Sequence, residues 1–130
     1  MMKIKCLYNT GEILMNSQRK PKYVSENTKY SQLKIGEEYL VLGILMIDGL
    51  LYYLVDDGGI ISECPSLLFC IIDNKLPDDW FFSNIENEYT EIEAVWGYYE
   101  LVFDPQHYSK LINMDEEAHR IYYRKKMGME

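Results

Sequence analysis

Nine residues without a polar side chain, Tyr39-Leu40-Val41-Leu42-Gly43-Ile44-Leu45-Met46-Ile47, stop at Asp48-Gly49, and six more follow as Leu50-Leu51-Tyr52-Tyr53-Leu54-Val55. Runs this short and this rich in Ile, Val and Tyr read as strands, the first of them covered on both faces. Asp-Gly accepts the positive φ of a type I′ turn, whose twist matches its flanking strands, so the two runs form a hairpin. Gly43 predicts a bulge or sharp bend, the device by which small barrels turn corners. Asp56-Asp57-Gly58-Gly59 makes the next turn and Ile60-Ile61-Ser62 the third strand of a meander. The fold expected from this centre is mainly β within an α+β class.

The flanks add elements at both ends. Lys3 to Tyr8 begins with the period-two alternation of a half-buried strand, and Asn9-Thr10-Gly11 supplies turn chemistry. Residues 16–32 are polar and aperiodic, which predicts a long loop. Its basic residues can fold back on acidic parts of the chain or meet a ligand, and the sequence leaves both open. Cys64-Pro65-Ser66-Leu67-Leu68 breaks the ladder and suits a helical turn, after which Phe69-Cys70-Ile71-Ile72 resumes as a strand. Ile92 to Phe103 reads as a further strand kinked at Gly97. Asp104-Pro105 opens a short helix to Ile112, and Asp115 caps a second helix with acids first and bases last. One domain over 1–130 results, with a β core at 33–103, the loop at 16–32 and C-terminal helices at 105–127. A chain of 130 residues is long enough to bury such a core without covalent staples.

Charge narrows the function classes. The net charge is −8, and residues 73–104 hold nine acids against Lys75 alone. Those acids are Asp73, Asp78, Asp79, Glu86, Glu88, Glu91, Glu93, Glu100 and Asp104. A sequence pI near 4.8 argues against direct binding of nucleic acid or an anionic membrane surface. No run reaches the length of a spanning helix and no secretory signal is recognisable, so a cytoplasmic protein is expected. Cys6, Cys64 and Cys70 are an odd, scattered set in apolar surroundings and read as core thiols.

Motifs for catalysis are sparse. No Gly-rich phosphate loop occurs, and His107 and His119 lie too far apart to suggest zinc, so neither a metal nor another cofactor is expected. A nucleophile-and-base pair would need Cys64 or Cys70 to meet His107 in space. Adjacent acids such as Asp56/Asp57 and Asp78/Asp79 read as solvated turn residues rather than a convergent catalytic pair. The chain is expected not to be an enzyme, and no catalytic residue is assigned.

Leu33-Lys34-Ile35-Gly36-Glu37-Glu38-Tyr39-Leu40-Val41-Leu42-Gly43, then Tyr52-Tyr53-Leu54-Val55-Asp56-Asp57, Pro65, Phe69 and Leu76-Pro77-Asp78-Asp79-Trp80, resembles a group of small bacterial proteins with an SH3-like barrel core. Some of these look like immunity proteins of toxin–immunity pairs. The resemblance covers about residues 33–103 and implies a small SH3-like antiparallel barrel or meander with C-terminal helices. It carries no site motif with it.

Charge and resemblance together give an expected role: an immunity-type protein that neutralises a cognate basic toxin acting on nucleic acid. Its expected partner-binding residues are Asp78, Asp79, Trp80, Glu86, Glu88, Tyr89, Glu91 and Glu93. Concentrated acids would speed encounter with a basic cleft, and aromatic anchors would slow release. The alternative is an SH3-like interaction module without inhibitory role, with Tyr52, Tyr53 and Tyr99 as candidates for an aromatic groove.

Overall fold

The computed structural model describes residues 2–16, 24–85 and 90–129. Its strands form two antiparallel sheets, followed by helices. Strand β1 (Lys3–Cys6) sits between β2 (Glu38–Leu40) and β6 (Phe69–Asp73) in a three-stranded sheet. The five-stranded sheet runs β5-β4-β3-β8-β7, from β3 (Gly43–Ile47), β4 (Leu50–Asp57) and β5 (Ile60–Pro65) to β7 (Phe81–Asn84) and β8 (Ile92–Gly97). Helices α1 (Tyr99–Phe103), α2 (His107–Ile112) and α3 (Glu116–Met129) complete the order. This is the mainly β, α+β meander with C-terminal helices that the hairpin signals predicted, its two sheets meeting without closing into one barrel.

The turns follow their chemistry. Ile47 pairs with Leu50 across a two-residue turn, with φ of 53° at Asp48 and 74° at Gly49. Asp57 pairs with Ile60 across Gly58-Gly59, both again at positive φ. These left-handed positions give the type I′ geometry that only Gly, Asn or Asp adopts at little cost. Pro65 lies within β5 because that strand is an edge, where a missing donor costs no ladder bond. The expected helical turn follows it as a 3-10 turn, Ser66–Leu68.

Two strand expectations need correction. The run 39–47 is not one strand: β2 belongs to the smaller sheet, Val41 and Leu42 turn the corner, and β3 continues in the larger sheet. All of its side chains are apolar, so no alternation marks the change of sheet. The expected strand 92–103 ends at Gly97, and residues 99–103 are helical. The cause is packing. Gly43 and Gly97 are register partners, and a Cβ on either would lie 2.5 or 2.6 Å from Cδ2 of Leu101. The paired glycines open a seat in the sheet surface, and α1 folds back to fill it with Leu101.

Each face of the larger sheet buries a separate core. Ile44, Tyr53 and Cys64 are cross-strand neighbours on one face and pack toward the smaller sheet, around Ile4, Cys6, Leu14, Tyr39, Leu68 and Phe69. Leu45, Leu54 and Val95 face the helices and meet Tyr98, Leu101, Val102, Leu111, Ala118 and Tyr122. Each fully buried Leu here contributes about 1.5–3 kcal/mol of transfer free energy.

Polar links tie the helices down. Asp115 Oδ2 accepts the Ala118 amide at 3.0 Å as the expected cap of α3. Asp56 holds the body of that helix, accepting from the Tyr122 hydroxyl and from Lys126 Nζ at 2.9 Å, while its other oxygen accepts the Gly59 amide at 2.7 Å. Burial opposes ionisation of Asp56, but those hydrogen bonds and the Lys126 charge outweigh it and hold the carboxyl below its ordinary range. No helix among the described residues is long and apolar enough to cross a membrane.

Candidate partner-binding surface

The β7–β8 hairpin separates the acids expected to act together. Asp78, Asp79 and Trp80 lead into β7, at the end where Phe81 pairs with Gly97. Glu91 and Glu93 stand at the opposite end, where Asn84 pairs with Ala94. At about 3.3 Å per residue the strand between them spans some 13 Å, more than a Debye length at physiological salt. Glu86, Glu88 and Tyr89 lie outside the described residues.

Glu91 and Glu93 acquire new neighbours instead. Together with Ile47, Asp48, Tyr52, Glu63 and Pro65 they line a cavity of about 490 Å³, closed on another side by Val24 and Tyr30. Strand register explains the convergence. Tyr52 pairs with Pro65, so Tyr52 and Glu63 rise from one face of the sheet, and Glu93 joins them at the break in β3–β8 register, where Met46 pairs with Ala94 and Ile47 with Ile92. Glu93 Oε1 accepts the Gly49 amide at 2.7 Å, pinning it against the Asp48-Gly49 turn. Glu63 accepts the Tyr108 hydroxyl, which α2 brings across β5. No lysine, arginine or histidine lines this groove among the described residues.

Its phenols are held protonated. Burial raises the Tyr52 pKa, and the charges of Glu63, Asp48 and Glu91 push it further the same way. Tyr30 is pushed up to about 12, first by burial and then by Cys64 and Tyr52. Tyr108 is raised as well, by burial and then by the Glu63 charge. Four carboxylates, donor phenols and an apolar floor suit a cationic group, whose charge pairs with the acids while its stem or plane lies on tyrosine.

Asp78 and Asp79 face a different environment. They line a second concavity with Lys75, Arg124 and Lys125, a mixed rather than anionic patch. Several other acids of the 73–104 stretch have local partners: Asp73 accepts the Lys75 amide, Asp104 the Gln106 amide, and Glu100 pairs with Lys125 at 3.4 Å.

The aromatics also divide. Trp80 is half-buried and packs against both cores as a wedge, its buried Nε1 without a hydrogen-bond partner among the described residues. Tyr53 is buried, Tyr52 lines the groove and Tyr99 is exposed elsewhere, so the three tyrosines considered for one groove do not share it. Phe81 stacks edge-on with Tyr99 and Phe103, with centroids at 5.8 and 5.5 Å, and all three rings are exposed.

Asp48 and Glu63 are the groove residues that sequence reading missed. Counting back from the Gly58-Gly59 turn sets Glu63 opposite Leu54, one pleat from Tyr52, and that arithmetic was the available signal.

Cys64 and His107 lie on opposite faces of the larger sheet. Cys64 lies in the core between the sheets, where burial drives its thiol up to about 11 against the opposing hydrogen bonds of Ser62 and Gln32. His107 is buried on the helix side, its Nε2 2.7 Å from the Tyr98 hydroxyl. Cys6, Cys64 and Cys70 are free thiols, the first two buried and Cys70 half-buried. Among the described residues no three His, Cys, Asp or Glu side chains are grouped to hold a metal ion. Comparison with known proteins returns no matching family model, no similar curated protein and no similar solved structure.

Proposed function

We propose that this chain is a cytoplasmic, non-catalytic binding protein of the immunity type, which captures and neutralises a basic toxin acting on nucleic acid. One observation carries the reading: Asp48, Glu63, Glu91 and Glu93 meet around Tyr52 in a groove that no cation lines among the described residues. Enzymes that handle nucleic acid carry basic clefts, and an acidic groove with an aromatic wall competes for such a surface. The charge sets the encounter rate, and an arginine or lysine stem laid on Tyr52 sets the lifetime.

The test uses the product of the gene immediately upstream of this one. A C-terminal toxin domain encoded there should bind the protein and lose activity. The double variant Glu63→Lys/Glu91→Lys should slow association by roughly tenfold or more, with wild-type association falling steeply as salt rises. Unchanged association and inhibition in that variant would remove the reading.

A second reading is an SH3-like interaction module without inhibitory role, favoured by the apolar part of the same groove, Val24, Tyr30, Tyr52 and Pro65. It requires capture of a partner segment that persists at high salt and inhibits nothing.

A further inference from the structure

The sheet edges of the described structure are unequal. Edge β5 ends in Pro65, and α2 crosses it through the Tyr108–Glu63 hydrogen bond. Edge β2 is three residues long and carries Glu38. Edge β6 breaks register against β1 between Lys3 and Ile4 and carries Asp73. Short length, proline, bulges and charge are the usual ways of keeping an edge from recruiting another strand. Edge β7, Phe81-Phe82-Ser83-Asn84, is short at four residues but carries no proline, charge or break in register.

Its main chain faces outward at defined positions. The Ile85 amide donates to the Glu93 carbonyl at 2.8 Å, so the alternation of an antiparallel pair directs the main-chain groups of Phe82 and Asn84 away from β8. The Ser83 hydroxyl donates to the Asn84 carbonyl at 3.0 Å, leaving both Phe82 groups and the Asn84 amide directed outward. Phe81 stands with Tyr99 and Phe103 on one side of the strand, and Phe82 lies against Trp96 on the other, centroids 4.7 Å apart. An added strand would find aromatic surface on both faces.

We infer that β7 accepts an extended segment of a basic partner as a sixth, antiparallel strand, with apolar residues along its length and lysine or arginine beyond them. Charge decides the occupant. Asp78 and Asp79 share their concavity with Lys75, Arg124 and Lys125, so it is the net charge of −8 that sets two copies of this chain against one another and draws a cationic segment in. The inference rests on the basic-partner reading above and adds a second contact surface to the Tyr52 groove.

The probe is the peptide acetyl-Thr-Val-Thr-Ile-Thr-Val-Lys-Arg-Lys, set against the same sequence N-methylated at alternate residues, which keeps the charge but cannot complete a ladder. Binding of the first should slow hydrogen exchange at the Phe82 and Asn84 amides and weaken as salt rises. N-methylation should reduce affinity by at least about tenfold. The variant Asn84→Pro removes only an outward amide and should weaken binding similarly; should it fail to fold, Asn84→Lys replaces it.

Equal binding of the two peptides, or unchanged exchange at Phe82 and Asn84, overturns the inference. So does protection of those amides by protein concentration alone, which assigns the edge to a second copy. Protection that ignores salt breaks the basic-partner reading and leaves strand addition standing. Salt-dependent binding that protects the Tyr52 groove instead does the reverse.

Discussion

The two faces of the five-stranded sheet solve one packing problem differently. Toward the smaller sheet the polar side-chain contacts are neutral ones: Cys6 to the Tyr8 carbonyl, Tyr39 to the Lys34 amide, and Cys64 with Ser62 and Gln32. They surround the fully buried Ile4, Val55 and Leu68, and burial keeps both thiols protonated. Toward the helices the core is crossed by polar links, namely Tyr98 to His107, Tyr108 to Glu63, and Tyr122 with Lys126 to Asp56. An apolar core is held by area and volume, which pH barely touches. A core stitched by titratable groups is conditional, since each link depends on a protonation state. The helices are therefore the part of this molecule that its environment can loosen.

The largest effect separates the two cores directly. Ile4→Ala and Leu111→Ala should each cost about 2–5 kcal/mol, read from urea midpoints. Ile4→Ala should accelerate amide exchange in both sheets together, while Leu111→Ala should release α2 and α3 ahead of global unfolding. Identical exchange patterns would mean that the two cores melt as one.

Next comes the glycine seat. Gly97→Ala forces a Cβ against Leu101 and should cost about 1–3 kcal/mol, and Leu101→Ala in the same chain should recover part of it. Full additivity in that cycle would show that the two positions do not meet. Tyr98→Phe should cost about 1–3 kcal/mol because it strands the buried His107 nitrogen.

The pH dependence follows from the helix-side groups. Burial lowers the His107 pKa, and His119 and Lys110 add to that, against the opposing charges of Asp104 and Glu100. Its folded value lies below the unfolded one, so its contribution is complete above about pH 6.5 and falls away as pH drops through the folded value. Asp56, also held below its ordinary value, loses its contribution at lower pH still. Midpoints measured from pH 7 to 3 should show helix loosening before sheet unfolding, with His107→Gln flattening the upper step. The smallest change is Arg120→Ala, which removes an exposed pair with Glu117 and should shift stability by less than about 0.5 kcal/mol.

What could be read from the chain was local. Asp48-Gly49 and Gly58-Gly59 define their own turns, and the alternation in Lys3–Cys6 marks a half-buried strand. The helix at Tyr99–Phe103 was hidden because Tyr, Val and Phe favour strands, and only contact between Leu101 and two glycines distant in sequence reverses that preference. The acidic block was visible as composition, but a hairpin turns neighbours in sequence into opposite ends of a strand. Thus Glu91 and Glu93 keep company with Asp48 and Glu63 rather than with Asp78 and Asp79. Tyr52 is legible as a groove candidate, yet its acidic neighbours come from three separate segments.

The corner at Val41–Leu42 makes a single covalent run serve as a strand in both sheets. A slip of one residue in β2 would drag β3 with it, exchanging inward and outward side chains in two cores at once. Each sheet thereby proofreads the alignment of the other, and a chain with few long-range signals still settles on one pairing.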